Sequence, residues 1–224
     1  MPSTLVLGID NGGGFFALPR KARDAIYKEV LSVSHPLYLF QDTPSYMGVF
    51  APEVPPHWLA LLYTNRQASR ESSAVLYAKN VFAFVDQAEE QTSLLRRFFT
   101  SIGPVNSSFL TRLCIDFPAF PGRPEGPELR RDSQEGLKLV RDHCVGLTTI
   151  EFSLNSLSSR KLTSMVQGEK SIAQEAIAQI RSSLQSMPSL QEVYIRLQGT
   201  RPPDFIVQIM RDCDWIVTPA HGIS

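Results

Sequence analysis

The chain has 224 residues, 22 Lys+Arg against 22 Asp+Glu, 43% apolar and 20% charged residues, 16 prolines and 13 glycines. That is enough apolar material to bury one sizeable core, and it excludes wholesale disorder. A net charge of zero argues against a surface built for phosphate backbones, so nucleic acid is not an expected partner. The longest apolar run, Trp58 to Tyr63, falls far short of the roughly 20 residues that cross a bilayer, so no membrane span is expected. Met1 to Leu5 has no basic region typical of a secretory signal, which predicts a location in the cytoplasm or nucleus. Cys114, Cys144 and Cys213 are odd in number, widely spaced and set among apolar residues, and they read as reduced core thiols.

Residues 1–17 join an apolar piece, Leu5 to Ile9, to Asp10-Asn11-Gly12-Gly13-Gly14, and are expected to form a flexible glycine-rich arm. Leu18-Pro19 then opens a helix, proline standing at its first position. Ala22, Ile26 and Val30 recur at i, i+4 and i+8, with Tyr27 and Leu31 widening the stripe. Leu37 to Phe40 and Tyr46 to Phe50 flank Asp42-Thr43-Pro44-Ser45 and predict a β-hairpin. Pro55-Pro56 ends it, and a second helix is expected from Trp58 to about Lys79.

From Val81 the chain alternates. Strands are predicted at Val81–Val85, Leu110–Phe117, Thr149–Leu154 and Glu192–Leu197. Helices are predicted at Glu89–Ile102, Glu128–Cys144, Lys170–Met187 and Asp204–Cys213, followed by a short apolar segment, Trp215 to Val217. Strands separated by helices imply an α/β fold with a parallel sheet and right-handed crossovers. The equivalent positions Phe82, Leu113, Ile150 and Val193 are 31, 37 and 43 residues apart. That spacing is too uneven for a strict repeat, and it resembles irregular leucine-rich-repeat-like strand–helix units; a small open α/β sheet is the alternative. Pro118 to Pro127, rich in proline and glycine, is expected to be an exposed loop.

Chemistry-bearing motifs are few. Leu5 to Gly14 looks like the first phosphate-binding segment of the sugar-kinase, actin and heat-shock ATPase superfamily, with Asp10 and Gly12 to Gly14 as its working residues. The chain runs at once into a helix instead of a second hairpin strand, so a loose arm is the favoured reading. Histidines 35, 57, 143 and 221 lack the spacing of a helical metal pair, and no Gly-x-Ser-x-Gly elbow occurs. Glu89-Glu90 opens a helix, where the macrodipole accounts for negative charge. No catalytic residue, cofactor or metal is therefore expected. Arg66 and Arg70 are four apart on one face of the second helix and Glu71 can pair with a neighbouring arginine; these residues read either as a solvated face or as what fixes this helix against the first.

Two stretches together resemble a known family. Leu18-Pro19-Arg20-Lys21-Ala22-Arg23-Asp24-Ala25-Ile26-Tyr27-Lys28-Glu29-Val30-Leu31 resembles the opening helix of an F-box. Leu61 to Ser72, with Asn65-Arg66-Gln67 and Arg70-Glu71, continues through Leu76-Tyr77 and Asn80-Val81-Phe82. This second stretch is similar to the segment that follows in the F-box-like proteins of filamentous fungi. The resemblance implies an F-box-like module with hairpin over residues 18–86, followed by a strand–helix region over 87–224, packed as one domain. It further implies a non-catalytic substrate-recruiting adaptor of a Skp–cullin–RING ubiquitin ligase. Leu18, Pro19, Ile26, Val30 and Leu31 match the positions that contact the Skp-type adaptor protein, and the later units would hold an unknown substrate protein. Lys21 stands where the pattern has an acid and Ala22 where it has leucine, the latter removing apolar contact of about 2 kcal/mol at about 25 cal/mol per Å². The alternatives are a stand-alone protein-binding scaffold, with Ile26 and Val30 buried against the second helix, and a nucleotide-binding enzyme using the amino-terminal loop.

Overall fold

The computed structural model describes residues 14–43, 46–86, 88–121 and 127–219. It is a mixed α/β protein with 51% helix and 19% strand, built on one seven-stranded sheet in the order β2-β1-β3-β4-β5-β6-β7. β1 (Leu37–Thr43) and β2 (Tyr46–Phe50) form the expected antiparallel hairpin. β3 (Phe82–Phe84), β4 (Arg112–Asp116), β5 (Thr149–Asn155), β6 (Glu192–Gln198) and β7 (Ile216–Pro219) follow in chain order, each parallel to the one before, with β3 parallel to β1. The unevenly spaced positions of the sequence are one ladder: Phe82 pairs with Leu113, Leu113 with Ile150, and Ile150 with Val193. The variation in spacing is therefore absorbed by the connections, and the register of the strands is constant.

The helices are α1 (Arg20–Leu31), α2 (Arg66–Lys79), α3 (Ala88–Ser108), α4 (Arg131–His143), α5 (Ser156–Val166), α6 (Lys170–Gln185) and α7 (Asp204–Arg211). Helix α1 packs on α2, α2 on α3, α3 on α4, α4 on α6 and α6 on α7. This chain of neighbours makes one helical layer over the sheet. Strand residues alternate accordingly. Leu113 and Ile115, then Ile150, Phe152 and Leu154, then Ile195 are buried beneath the helices, whereas Glu151, Ser153, Tyr194 and Arg196 stay partly exposed on the opposite face.

Several elements depart from the sequence reading. The predicted second helix is two pieces, a 3₁₀ turn at Ala60–Tyr63 and then α2, because the Asn65 side chain accepts hydrogen bonds from the Gln67 and Ala68 N–H groups and starts a new helix there. Pro19 is the N-cap of α1 and not its first residue. Helix α3 continues past Ile102 after a break at Gly103, whose φ of 76° suits glycine, next to Pro104. Helix α5 was not expected at all. It has four serines, poor helix formers, but Asn155 caps it through the Leu157 and Ser158 N–H groups, and Leu162, Met165 and Val166 are buried along it. The apolar segment after α7 is strand β7, which extends the sheet.

Residues 1–13, with Asp10 and Gly12 to Gly13 of the nucleotide-loop reading, lie outside the described residues, as do 122–126 of the proline-rich loop and the side chain of Glu89. The end of the expected arm is ordered: Phe15–Ala17 form a 3₁₀ turn, and Phe15 meets Tyr27 edge-on at 5.5 Å. Among the described residues, no helix is long and apolar enough to cross a membrane.

Candidate docking surface on the first helix

Helix α1 turns inward only one edge of the apolar stripe its spacing suggests, Tyr27 and Leu31, and adds Arg23 to it. Arg23, Tyr27 and Leu31, at i, i+4 and i+8, are the buried line, at 7%, 0% and 0% exposure. Tyr27 and Leu31 join Val75 and Leu76 of α2 in a small core, with Phe15, Trp58, Leu59 and Leu62 packed around it. The adjacent line points outward. Ile26 is 40% and Val30 43% exposed, and Leu18 and Phe16 are exposed at the head of the helix beside Pro19. Burial of Ile26 and Val30 against the second helix is thus not what the fold does, since α2 meets the neighbouring line one residue further on. Of the five adaptor-matching residues, Leu18, Pro19, Ile26 and Val30 lie on the surface and Leu31 lies in the core.

The reason for the rotation is a buried charge. Arg23 makes a bidentate pair with Glu71 of α2, Nε to Oε2 at 2.8 Å and Nη2 to Oε1 at 2.7 Å, and Gln67 donates to the same carboxylate at 3.1 Å. The hydrogen bonds from Arg23 hold the Glu71 pKa down at about 2, against the opposing effect of burial, while Glu71 raises that of Arg23. Arg23 also donates Nη1 to the carbonyl oxygens of Leu18, at 2.5 Å, and Phe16, at 3.4 Å, and its guanidinium lies 5.8 Å from the centre of the Phe16 ring. One guanidinium therefore fixes both the α1–α2 crossing and the turn that carries Phe16 and Leu18. Arg20 pairs with Asp24 on the surface at 2.7 Å, its other nitrogen 3.8 Å from Glu71.

The second motif serves the same junction. Asn65 caps α2, Glu71 receives both Arg23 and Gln67, and Asn80 closes the far end. Asn80, 1% exposed, donates to the Leu31 and Leu76 carbonyls at 2.9 Å each and accepts from the Val33 N–H at 2.8 Å. Phe82 then enters the main core, stacked on Tyr77 at 5.5 Å. Of the two readings of this segment, Arg66 and Arg70 are exposed and form the solvated face, whereas Glu71, through its pair with Arg23, braces the first helix. Replacing Asn80 by alanine should leave two carbonyls and one N–H without protein partners and cost roughly 2–4 kcal/mol in urea unfolding, from the penalty for each buried unsatisfied group.

The remaining residues singled out in the sequence fall elsewhere. Burial raises the Cys144 thiol to about 12, and burial with the Glu151 carboxylate nearby raises that of Cys114; both stay protonated and unreactive near neutrality. Cys114 donates to Glu151 at 3.5 Å, and Arg196 grips the same carboxylate through two bonds of 2.6 Å, on the sheet face away from the helices. His143 stacks on Phe99 at 4.8 Å. Among the described residues, no group of three His, Cys, Asp or Glu side chains could hold a metal ion.

Comparison with protein-family models, with curated proteins and with solved structures found no match for this chain.

Proposed function

We propose that this is a non-catalytic interaction protein whose first helix docks onto a partner, as in a substrate-recruiting F-box-like subunit of a Skp–cullin–RING ubiquitin ligase. The observation that carries the reading is the outward line of Leu18, Pro19, Ile26 and Val30 on a helix braced from behind by Arg23 and Glu71. A docking helix needs apolar anchors that are free and held in place, because ordering a mobile segment on binding costs affinity. In this reading the strand–helix units, with their polar open face around Glu151, Tyr194 and Arg196, recruit the substrate.

Lys21 and Ala22 favour a second reading. Ala22 precedes Ile26 by four residues, in the middle of the outward line, where the F-box pattern has leucine. A stand-alone scaffold that keeps the arrangement without ligase attachment accounts for that loss of contact.

The two separate on gel filtration of the purified chain mixed with a Skp-type adaptor at micromolar concentration. Co-elution is the expected result for the ligase subunit; separate elution leaves the scaffold. Leu31 is unsuited to the mutational control, since at 0% exposure its replacement reports on packing.

A further inference from the structure

We infer that the groove between α5 and the turn from β6 into α7 binds a phosphate monoester. It has a volume of about 680 Å³ and is lined by Ser159, Arg160 and Thr163 on one side and by the stretch from Thr200 to Asp204 on the other. It lies on the β5 and β6 units, with β3 and β4 between them and β1 in the sheet, and does not depend on the docking reading of α1.

Its wall carries a polar group in need of a partner. Ser159 is 1% exposed, and its Oγ makes no hydrogen bond. Buried hydroxyls are normally paired, and one beside a groove can be paired by what enters it. The groove's lining also carries two arginines, Arg160 and Arg201. Arg160 is exposed, with no ion pair among the described residues. Arg201 pairs with Asp204 at 2.9 Å, both partners exposed, a contact too weak to resist competition from a dianion. The first N–H groups of α7 open toward the same turn, where their partial positive charge favours an anion.

The turn is held ready. Gly199 adopts a φ of 87°, and the Thr200 N–H donates to Ser156 Oγ at 2.8 Å, tying the turn to the start of α5. Pro202 and Pro203 limit its freedom further. Two arginines lining one groove suit a tetrahedral dianion better than a carboxylate, because each guanidinium can take two oxygens of it. Asp204 is the one acidic residue of the lining among the described residues; it opposes the ligand and yields Arg201 to it.

The test is an amide-shift NMR titration of the full chain with two probes, inorganic phosphate and O-phospho-L-serine. Saturable shifts at millimolar concentration, confined to residues 156–164 and 199–206, are the expected result. Equal affinities identify free phosphate as sufficient, and tighter binding of phosphoserine identifies the ester. Arg160→Ala and Arg201→Ala should each weaken binding about tenfold, and Asp204→Asn should tighten it. Ser159→Ala should weaken binding while keeping the fold, whereas a hydroxyl that merely packs would leave the titration unchanged. No saturable shift with either probe up to about 20 mM, or shifts that survive the double arginine variant, would overturn the proposal.

Discussion

Replacing Glu71 by alanine should lower the stability of the amino-terminal helix pair by roughly 3–5 kcal/mol, because it removes one partner of a buried, bidentate ion pair and leaves the other charged and unpaired. Glu71 is 6% and Arg23 7% exposed, and the carboxylate also receives Gln67. Glutamine at position 71 should recover only part of the loss, since it keeps the shape but gives Arg23 a neutral partner. The same pair sets an acid limit. The Glu71 pKa is about 2 in the folded chain against an ordinary value of 4.5. A lowered folded-state pKa contributes stability that is complete above the unfolded value and lost as the pH falls toward the folded one. Stability of the parent should therefore decline between about pH 5 and pH 2, and the Glu71→Ala variant should show a shallower decline across that window. Urea unfolding at a series of pH values measures both. A variant as stable as the parent at pH 7 would mean that the pair does not brace α1.

Phe152→Ala should cost about 3–5 kcal/mol, independent of pH. Phe152 is fully buried in β5, hydrogen-bonded between β4 and β6, and meets Phe117 edge-on at 5.9 Å. Truncation leaves a cavity beneath the helical layer that the paired strands on both sides cannot close. For a chain of this length the melting temperature should fall by about 6–20 °C, at 2–4 °C per kcal/mol, by scanning calorimetry. A fall of under about 3 °C would show that the core collapses around the site.

These two sites differ in how far the sequence exposes them. Phe152 belongs to an alternating strand of Ile150, Phe152 and Leu154, so both its element and its inward face follow from period two. The ladder from Phe82 to Val193 was legible for the same reason, as each strand carries its own apolar pattern. Arg23 is the opposite case. Apolar spacing selects Ala22, Ile26 and Val30, and a charged residue reads as outward unless its partner is known. That partner is 48 residues away in α2, across a hairpin, and local periodicity holds no trace of it. The run from Asn65 to Glu71 left a brace against the first helix as one of two readings, and the structure gives its object through Glu71: the back of α1. Helix α5 escaped because its serines oppose helix formation and only the cap at Asn155 and tertiary burial of Leu162 and Val166 support it.

Helix α1 has two lines, Arg23, Tyr27 and Leu31 facing inward and Leu18, Ile26 and Val30 facing outward, and we propose that the outward line meets the partner. The most direct measurement is on the Ile26→Glu/Val30→Glu double variant, recording its melting temperature and its binding to a Skp-type adaptor beside the parent chain. The expected result is a melting temperature within about 2 °C of the parent, as for other exposed substitutions, together with loss of adaptor binding. A collapse of the melting temperature would place the outward line in the interior, and adaptor binding undiminished in a folded variant would remove α1 from the docking surface.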